Sequence, residues 1–179
     1  MLPKSKLTQS LFTYFFLNPE KELYLRELAR TLSCDAANLD KTLKKLEKEG
    51  LFKSEFHGKQ KYYFLNTSFP LYDEYKKIIE KSFGVQKFFR NILEGFNDIS
   101  VIYIYGSYAK NEMSANSDID VLVIGRPDVL KLSREVSEFE NLFNRELNYT
   151  IIDESELAKK RQNDPFLKNI FKGKIIKIT

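Results

Sequence analysis

The sequence predicts a mixed fold of helices and strands (α/β, α+β) in two domains, and three observations favour it. Apolar residues with helical spacing occupy roughly the first fifty positions and give way to two short strands around a glycine. In the second half, apolar strands alternate with amphipathic helices, which predicts a small mixed sheet flanked by helices. Residues 1–70 hold 12 Lys and Arg against 8 Asp and Glu, whereas residues 71–179 hold 17 of each. The two halves therefore differ in both pattern and charge.

The first part of the chain predicts three helices and a hairpin. A first amphipathic helix ends at Asn18-Pro19, and a second ends near Leu32. Asp35 is a suitable N-cap for a third helix, and Gly50 is the residue expected just beyond its end. Two strand-like segments then flank the turn 57–59, which predicts a β-hairpin.

This order of elements, with a short turn between the second and third helices, is that of a winged helix-turn-helix domain. The run LARTLSCDAANLDKTLKKLEKEGLF resembles that family, and the resemblance assigns residues 1–68 to it. It implies DNA binding through the exposed face of the third helix and the hairpin. The amide of Asn38 suits an adenine edge, and the lysines suit phosphates. The candidate DNA-binding residues are Ala37, Asn38, Lys41, Thr42, Lys45, Lys59 and Lys61. The alternative is that these residues form a solvated face used for protein contacts.

The apolar spacing predicts a linking helix with an apolar stripe over residues 69–84. Residues 85–179 are predicted to form the second domain. Such a stripe packs either against a second copy, giving a homodimer, or between the two domains. The sequence leaves both interpretations open.

Two acidic residues at the start of a strand form the most informative pattern in the second domain. Side chains alternate along a strand, so Asp118 and Asp120 point to the same side. Oxygen ligands in small number suit Mg²⁺, or Mn²⁺, which completes its shell with water and substrate phosphates. Upstream, Gly106-Ser107 follows a strand at a tight turn, where backbone N–H groups would face an anion. The combination predicts a site for a nucleoside triphosphate.

These residues carry a resemblance to a known family. Gly106-Ser107 followed by Asp118-x-Asp120, within the run GSYAKNEMSANSDIDVLV, is similar to the signature of the DNA-polymerase-beta-like nucleotidyltransferases. The run looks most like the minimal nucleotidyltransferases of bacteria and archaea, and the resemblance covers roughly residues 88–179. It implies transfer of a nucleoside monophosphate, AMP from ATP, to a hydroxyl acceptor, and it allows a partner protein as that acceptor.

The resemblance also implies roles for individual residues. Asp118 and Asp120 would hold the metal, and Gly106 would let the backbone approach the phosphates. Ser107 and Lys110 would contact the triphosphate. Ser117 would orient the acid pair or accept the first N–H groups of a helix.

One position departs from the family pattern, which normally has a third carboxylate on the neighbouring strand. Asn148 occupies that place in the expected register, and Glu146 and Asp153 are the nearby acids that could substitute. An amide cannot accept the proton of the attacking hydroxyl. Three hypotheses follow: an active nucleotidyltransferase, a transcription regulator with a catalytically impaired nucleotide-binding domain, and a pure interaction module.

The composition excludes several classes of protein. A single Cys excludes an intramolecular disulfide, and one Cys with one His excludes a Cys/His zinc site. No apolar run approaches the ~20 residues of a membrane span. We therefore expect a cytoplasmic protein without membrane contact.

Overall fold

The computed structural model describes residues 3–114 and 117–179. These residues form two compact units, Met1–Gly84 and Val85–Thr179. Within the described residues, no helix has the length and apolarity needed to cross a membrane.

In its described residues, the first unit contains four helices and a small antiparallel sheet. In chain order the elements are α1 (Lys6–Leu17), β1 (Leu23–Tyr24), α2 (Leu25–Thr31), α3 (Ala36–Lys48), β2 (Phe52–His57), β3 (Gln60–Leu65) and α4 (Tyr72–Ser82). The side chain of Asp35 caps α3, and Gly50 follows its end with a φ of 82°, as expected from the sequence. The sheet has the order β1-β3-β2, and its two-residue strand β1 was not predicted.

One apolar core holds this unit together. Phe15, Leu39, Leu43 and Phe52 are almost completely buried in it. Ile79 of α4, which is 1% exposed, belongs to the same core. The helix predicted to link the domains therefore packs on α1 as part of the first unit.

The second unit is built on a four-stranded mixed sheet. Its elements are α5 (Val85–Gly95), β4 (Ile99–Tyr105), α6 (Gly106–Lys110), β5 (Ile119–Gly125), α7 (Val129–Phe143), β6 (Leu147–Ile152), α8 (Glu154–Lys160), α9 (Pro165–Lys172) and β7 (Ile176–Ile178). The strand order is β6-β5-β4-β7, with β5 and β6 parallel and the other neighbours antiparallel. The predicted mixed sheet flanked by helices is confirmed.

Helices cover both faces of this sheet. Leu122 and Ile124 of β5 pack with Leu167 and Ile170 of α9 on one face. Because side chains alternate, Ile102 and Ile104 of β4 are buried on the opposite face, where α5 and α7 pack. Contacts among the aromatic rings of α5 and α7 join these two helices; the rings are Phe88, Phe89, Phe139 and Phe143. The acidic pair lies on the α9 side, because Asp120 shares a face with Leu122.

Candidate active site

Three neighbouring strands place Tyr105, Asp120 and Asn148 side by side. Tyr105 of β4 pairs with Asp120 of β5, and Asp120 pairs with Asn148 of β6. Paired positions on adjacent strands share one face of a sheet, so the three side chains form a row at one end of it. Asp118 precedes Asp120 by two residues and lies on the same face. The sheet thus brings together the two predicted metal ligands.

Asn148 joins the two acids. Its Nδ2 donates a hydrogen bond to Asp118 Oδ2, and its amide also favours the ionised form of Asp120. Burial and the negative charge of Asp118 raise the pKa of the Asp120 carboxyl, while the amide of Asn148 opposes that rise. In the part of the chain that the structure describes, neither acid forms an ion pair with Lys or Arg. Among the described residues, a neutral amide therefore lies between two acids whose charges no cationic side chain neutralises.

Gly106 lies against Asp120. Its φ of 70° is in the left-handed region, which disfavours residues with a Cβ. A Cβ built on Gly106 would overlap Asp120 Oδ2 and would lie 3.1 Å from Cγ of that residue. The glycine was predicted to admit phosphates to the backbone. The structure shows that it also makes room for the carboxylate of Asp120.

The other predicted nucleotide-binding residues lie around the turn after β4. Ser107 is partly buried in the first turn of α6, and its carbonyl accepts a hydrogen bond of 2.9 Å from the Glu112 N–H. Lys110 is exposed at the end of α6. Ser117 Oγ accepts a hydrogen bond of 2.9 Å from the Ser114 N–H. The Ser117 hydroxyl therefore fixes the backbone of Ser114, four residues before Asp118.

Arg145 is a site residue that sequence reasoning missed. It is 6% exposed, and its Nη1 donates hydrogen bonds to the carbonyls of Ser114 at 2.9 Å and Ser117 at 2.8 Å. Ser117 directly precedes Asp118, and Arg145 lies two residues before β6, the strand of Asn148. The guanidinium therefore ties the loop carrying one acid to the strand carrying the amide. Its position just before an apolar strand was the available signal.

The register separates the two acids that could substitute for the third carboxylate, Asp153 and Glu146. Asp153 lies five residues beyond Asn148, roughly 16 Å along the strand direction, at the opposite end of the sheet. There it caps α8, accepting hydrogen bonds from the Glu156 N–H and from Ser155. Asp153 is thus too far away to join the pair. Glu146 is exposed, and the register places it beside Asp118, one step before the pairing of Ile119 with Leu147.

Two aromatic residues, Tyr105 and Phe166, lie on the β4 side of the acids, opposite to Asn148 on β6. Burial and the charges of Asp120 and Asp118 raise the pKa of the Tyr105 phenol, and a hydrogen bond with Thr150 opposes this rise. The ring of Phe166, at the start of α9, lies 6.1 Å from that of Tyr105 at an angle of 84°. Neither residue was predicted for the site, although Tyr105 directly precedes the glycine turn.

The predicted DNA-binding residues lie on α3 and the hairpin of the first unit. Ala37, Asn38, Lys41 and Lys45 are exposed on α3, and Lys59 is exposed at the hairpin turn. Thr42 donates its hydroxyl hydrogen bond to the carbonyl of Asn38.

Lys61 is held more closely by an acid than the other candidate lysines: its ammonium lies 2.9 Å from Glu47 Oε2, whereas Lys45 Nζ lies 3.9 Å from Glu49 Oε1 and is far more exposed. This hydrogen bond raises the pKa of Lys61, and bonds from Ser54 and Lys61 lower that of Glu47. The charge of Lys61 is therefore already balanced within the unit.

The donor set of the acid pair fits Mg²⁺. Two carboxylates offer a few oxygen ligands and leave room for water and phosphate oxygens. Among the described residues there is no group of three or more His, Cys, Asp or Glu side chains that could hold a metal by itself. A cation at this site would therefore depend on additional ligands from the substrate.

Three solved structures overlap parts of the chain. A putative nucleotidyltransferase from Sulfolobus solfataricus is 24% identical, covers 41% of this chain and 68% of its own, and has a TM-score of 0.30. A mutant of the toxin-antitoxin MntA-HpeT is 15% identical over 52% of this chain and 70% of its own, with a TM-score of 0.37. A toxin-antitoxin with AMP-PNP is 14% identical over 49% and 85%, with a TM-score of 0.33.

No curated protein matches the chain. The family model for polymerase beta nucleotidyltransferases matches residues 87–179, which include the whole sheet and the acid pair. Because this match spans more than half of the sequence, the chain belongs to the polymerase beta nucleotidyltransferase family.

Proposed function

We propose that the protein is a Mg²⁺-dependent nucleotidyltransferase that transfers AMP from ATP to a hydroxyl acceptor. The observation that carries this proposal is the arrangement of Asp118 and Asp120. The two acids lie together over Gly106, joined by an amide and not neutralised by a cationic side chain in the described chain. Like charges at one site are costly, and a divalent ion with a triphosphate would relieve that cost.

In this proposal each residue has a distinct task. Asp118 and Asp120 hold the metal, which when bound supplies positive charge to the phosphate oxygens around the reacting phosphorus. Ser107 and Lys110 bind the terminal phosphates of the triphosphate. Asn148 orients Asp118, and because it is neutral it leaves the acceptor's proton to another group.

The experiment is a transfer assay with α-labelled ATP, Mg²⁺ and candidate acceptors. We expect the pair Asp118→Asn/Asp120→Asn to abolish transfer and to remove the rise in melting temperature that Mg²⁺ and ATP give the native protein. The matched control is the pair Asp128→Asn/Asp164→Asn, which removes two carboxylates elsewhere. Both control residues are N-caps, and Asn caps helices as well as Asp. Transfer that survives loss of the acid pair would show that the site is wrong.

A second candidate function is a transcription regulator whose nucleotide-binding domain has lost most catalysis. The amide of Asn148, at the place of the third carboxylate, favours it. Asn148→Asp restores an acid there, and we expect a large gain in transfer if the natural protein is impaired. A variant with unchanged or lower transfer would favour the active enzyme, and Tyr149→Ala on the other face of β6 is the control.

We propose further that the first unit is a winged helix-turn-helix domain that binds DNA. Its order of elements, α1-β1-α2-α3-β2-β3, and its exposed lysines on α3 support this. The excess of basic residues in the sequence is confined to this part of the chain. Asn38 is our candidate for contact with a base, and Lys41, Lys45 and Lys59 for contact with phosphates.

The test compares two sets of lysines. Lys41→Ala/Lys45→Ala should weaken DNA binding and lower its dependence on salt concentration by about two counterions. Lys61→Ala should change that dependence less, since Glu47 already balances this lysine. Binding through α3 would be contradicted if Lys41→Ala/Lys45→Ala and Lys61→Ala changed the salt dependence of DNA binding equally. It would also be contradicted if Lys41→Ala/Lys45→Ala left DNA binding unchanged.

A further inference from the structure

Phe166 is an exposed aromatic residue close to the acid pair. Its side chain is 44% exposed, whereas Leu167 and Ile170 of the same helix are 1% and 5% exposed. The helix is thus anchored by its buried residues while one large apolar ring remains in solvent.

The backbone of Phe166 is fixed by several local contacts. Asp164 caps α9 and accepts hydrogen bonds from the N–H groups of Phe166 at 2.8 Å and Leu167 at 3.1 Å. Pro165 occupies the first helical position, which its fixed φ suits. The ring is therefore presented by a rigid helix start, which lowers the entropy lost when a ligand orders it.

The position of the ring relative to the acids is set by Tyr105. The centroids of Phe166 and Tyr105 are 6.1 Å apart in an edge-to-face arrangement. Tyr105 pairs with Asp120 across the strands, and its phenol is held by Thr150. The exposed ring of Phe166 thus lies one side chain away from the acids, on the same face of the sheet.

We propose that Phe166, supported by Tyr105, forms a stacking subsite for the base of the nucleotide whose phosphates bind at the acid pair. This inference rests on the proposed function. A nucleotide anchored by its phosphates carries its base one ribose away, so the base is an aromatic group that must lie near the acids in every complex. An aromatic face binds any base, because every base presents a π-face. The subsite therefore contributes affinity and little choice between bases.

The test separates the base from the phosphates by comparing two ligands. Isothermal titration in Mg²⁺ uses α,β-methylene-ATP, which cannot be cleaved at the reacting bond, and tripolyphosphate, which has no base. Phe166→Ala should weaken binding of the nucleotide about tenfold and leave binding of tripolyphosphate unchanged. Phe166→Tyr should retain affinity for the nucleotide, whereas Phe166→Leu, which keeps apolar bulk without a ring, should lose most of it.

Tyr149→Ala is the matched control. Tyr149 is 36% exposed, and it lies on the face of β6 opposite to Asn148 and Thr150. Removing this ring should change neither affinity.

The remaining outcomes overturn the proposal in distinguishable ways. If wild type binds both ligands and Phe166→Ala changes neither affinity or both equally, the subsite is wrong and the proposed function stands. If nucleotide affinity is unchanged but transfer at saturating ATP falls, Phe166 contacts the acceptor and not the base. If wild type binds neither ligand, the proposed function fails together with the subsite.

Discussion

The two ends of the four-stranded sheet each carry an aspartate, and their surroundings shift the pKa values of the two carboxyls in opposite directions. At one end, burial and the charge of Asp118 raise the pKa of Asp120. At the other end, Ser155, the Glu156 N–H and Arg126 lower the pKa of Asp153 to about 2. One carboxylate is strained by its surroundings, and the other is satisfied by them. The comparison shows that hydrogen bonds within the fold stabilise the charge of Asp153, whereas the charge of Asp120 is left to be stabilised by a ligand.

Replacement of Gly106 should give the largest effect on the acid end. In Gly106→Ala the new Cβ would displace the carboxylate of Asp120, and we expect affinity for Mn²⁺ and transfer to fall about a hundredfold or more. The free energy of unfolding should fall by only about 1 kcal/mol, the cost of a left-handed residue with a Cβ, because Asp120 can rotate away. Mn²⁺ titration and denaturant unfolding measure the two quantities.

Gly58→Ala is the control for backbone strain. Gly58 has a similar φ of 63°, but a Cβ there meets nothing within 4 Å. Both variants should lose comparable stability, and only the first should lose affinity for metal. Equal metal affinities would show that Gly106 does not make room for Asp120.

Loss of Arg145 should have the next largest effect. In Arg145→Met the carbonyls of Ser114 and Ser117 lose a buried donor, and we expect a loss of about 2 kcal/mol in the free energy of unfolding. Mn²⁺ affinity should fall as well, because the loop before Asp118 loosens. Arg126→Met removes an arginine whose side chain is 79% exposed and should change both quantities much less. A stability loss without any change in Mn²⁺ affinity would limit Arg145 to a structural role.

Much of the fold and of this site could be predicted from the sequence, because local patterns determine it. Alternation along β5 places Asp118 and Asp120 on one face, and apolar spacing predicts the flanking helices. Local patterns do not predict contacts distant in sequence, and the place of Asn148 beside the acids was expected only from the family resemblance. Arg145 and Phe166 join the site only through the parallel pairing of β5 with β6 and the packing of α9, which no local pattern specifies. For the same reason Asp153 remained a candidate ligand until the register placed it at the far end.

Neutralising Asp120 should change stability in the direction opposite to that expected for a satisfied acid. A folded-state pKa above the ordinary value means that the native state binds the proton more tightly than the unfolded state. Ionised Asp120 therefore costs stability, and this cost disappears as the pH falls through the raised pKa. Without metal at pH 7, Asp120→Asn should raise the melting temperature, and added Mn²⁺ should stabilise wild type only. A lower melting temperature of Asp120→Asn would contradict the conclusion that ionised Asp120 destabilises the native state.

Asp153 should show the smallest effect and the reverse dependence on pH. Its lowered pKa means that ionised Asp153 stabilises the native state above the ordinary value near 3.8, and this stability is lost as the pH falls towards about 2. Asp153→Ala should lower the melting temperature at pH 7, and the difference from wild type should shrink between pH 4 and pH 2. Asp153→Asn keeps the cap and should lose less. A difference that is constant with pH would mean that the charge of Asp153 contributes nothing.

The row formed by Tyr105, Asp120 and Asn148 comes from three strands that are far apart in sequence. The two acids are neighbours in sequence, but Asn148 reaches Asp118 only when β5 and β6 pair, so we expect a divalent ion to bind the completed sheet more tightly than the unfolded chain. Bound Mn²⁺ would thus report on folding itself: release of the ion during denaturation would mark the moment at which β4, β5 and β6 separate.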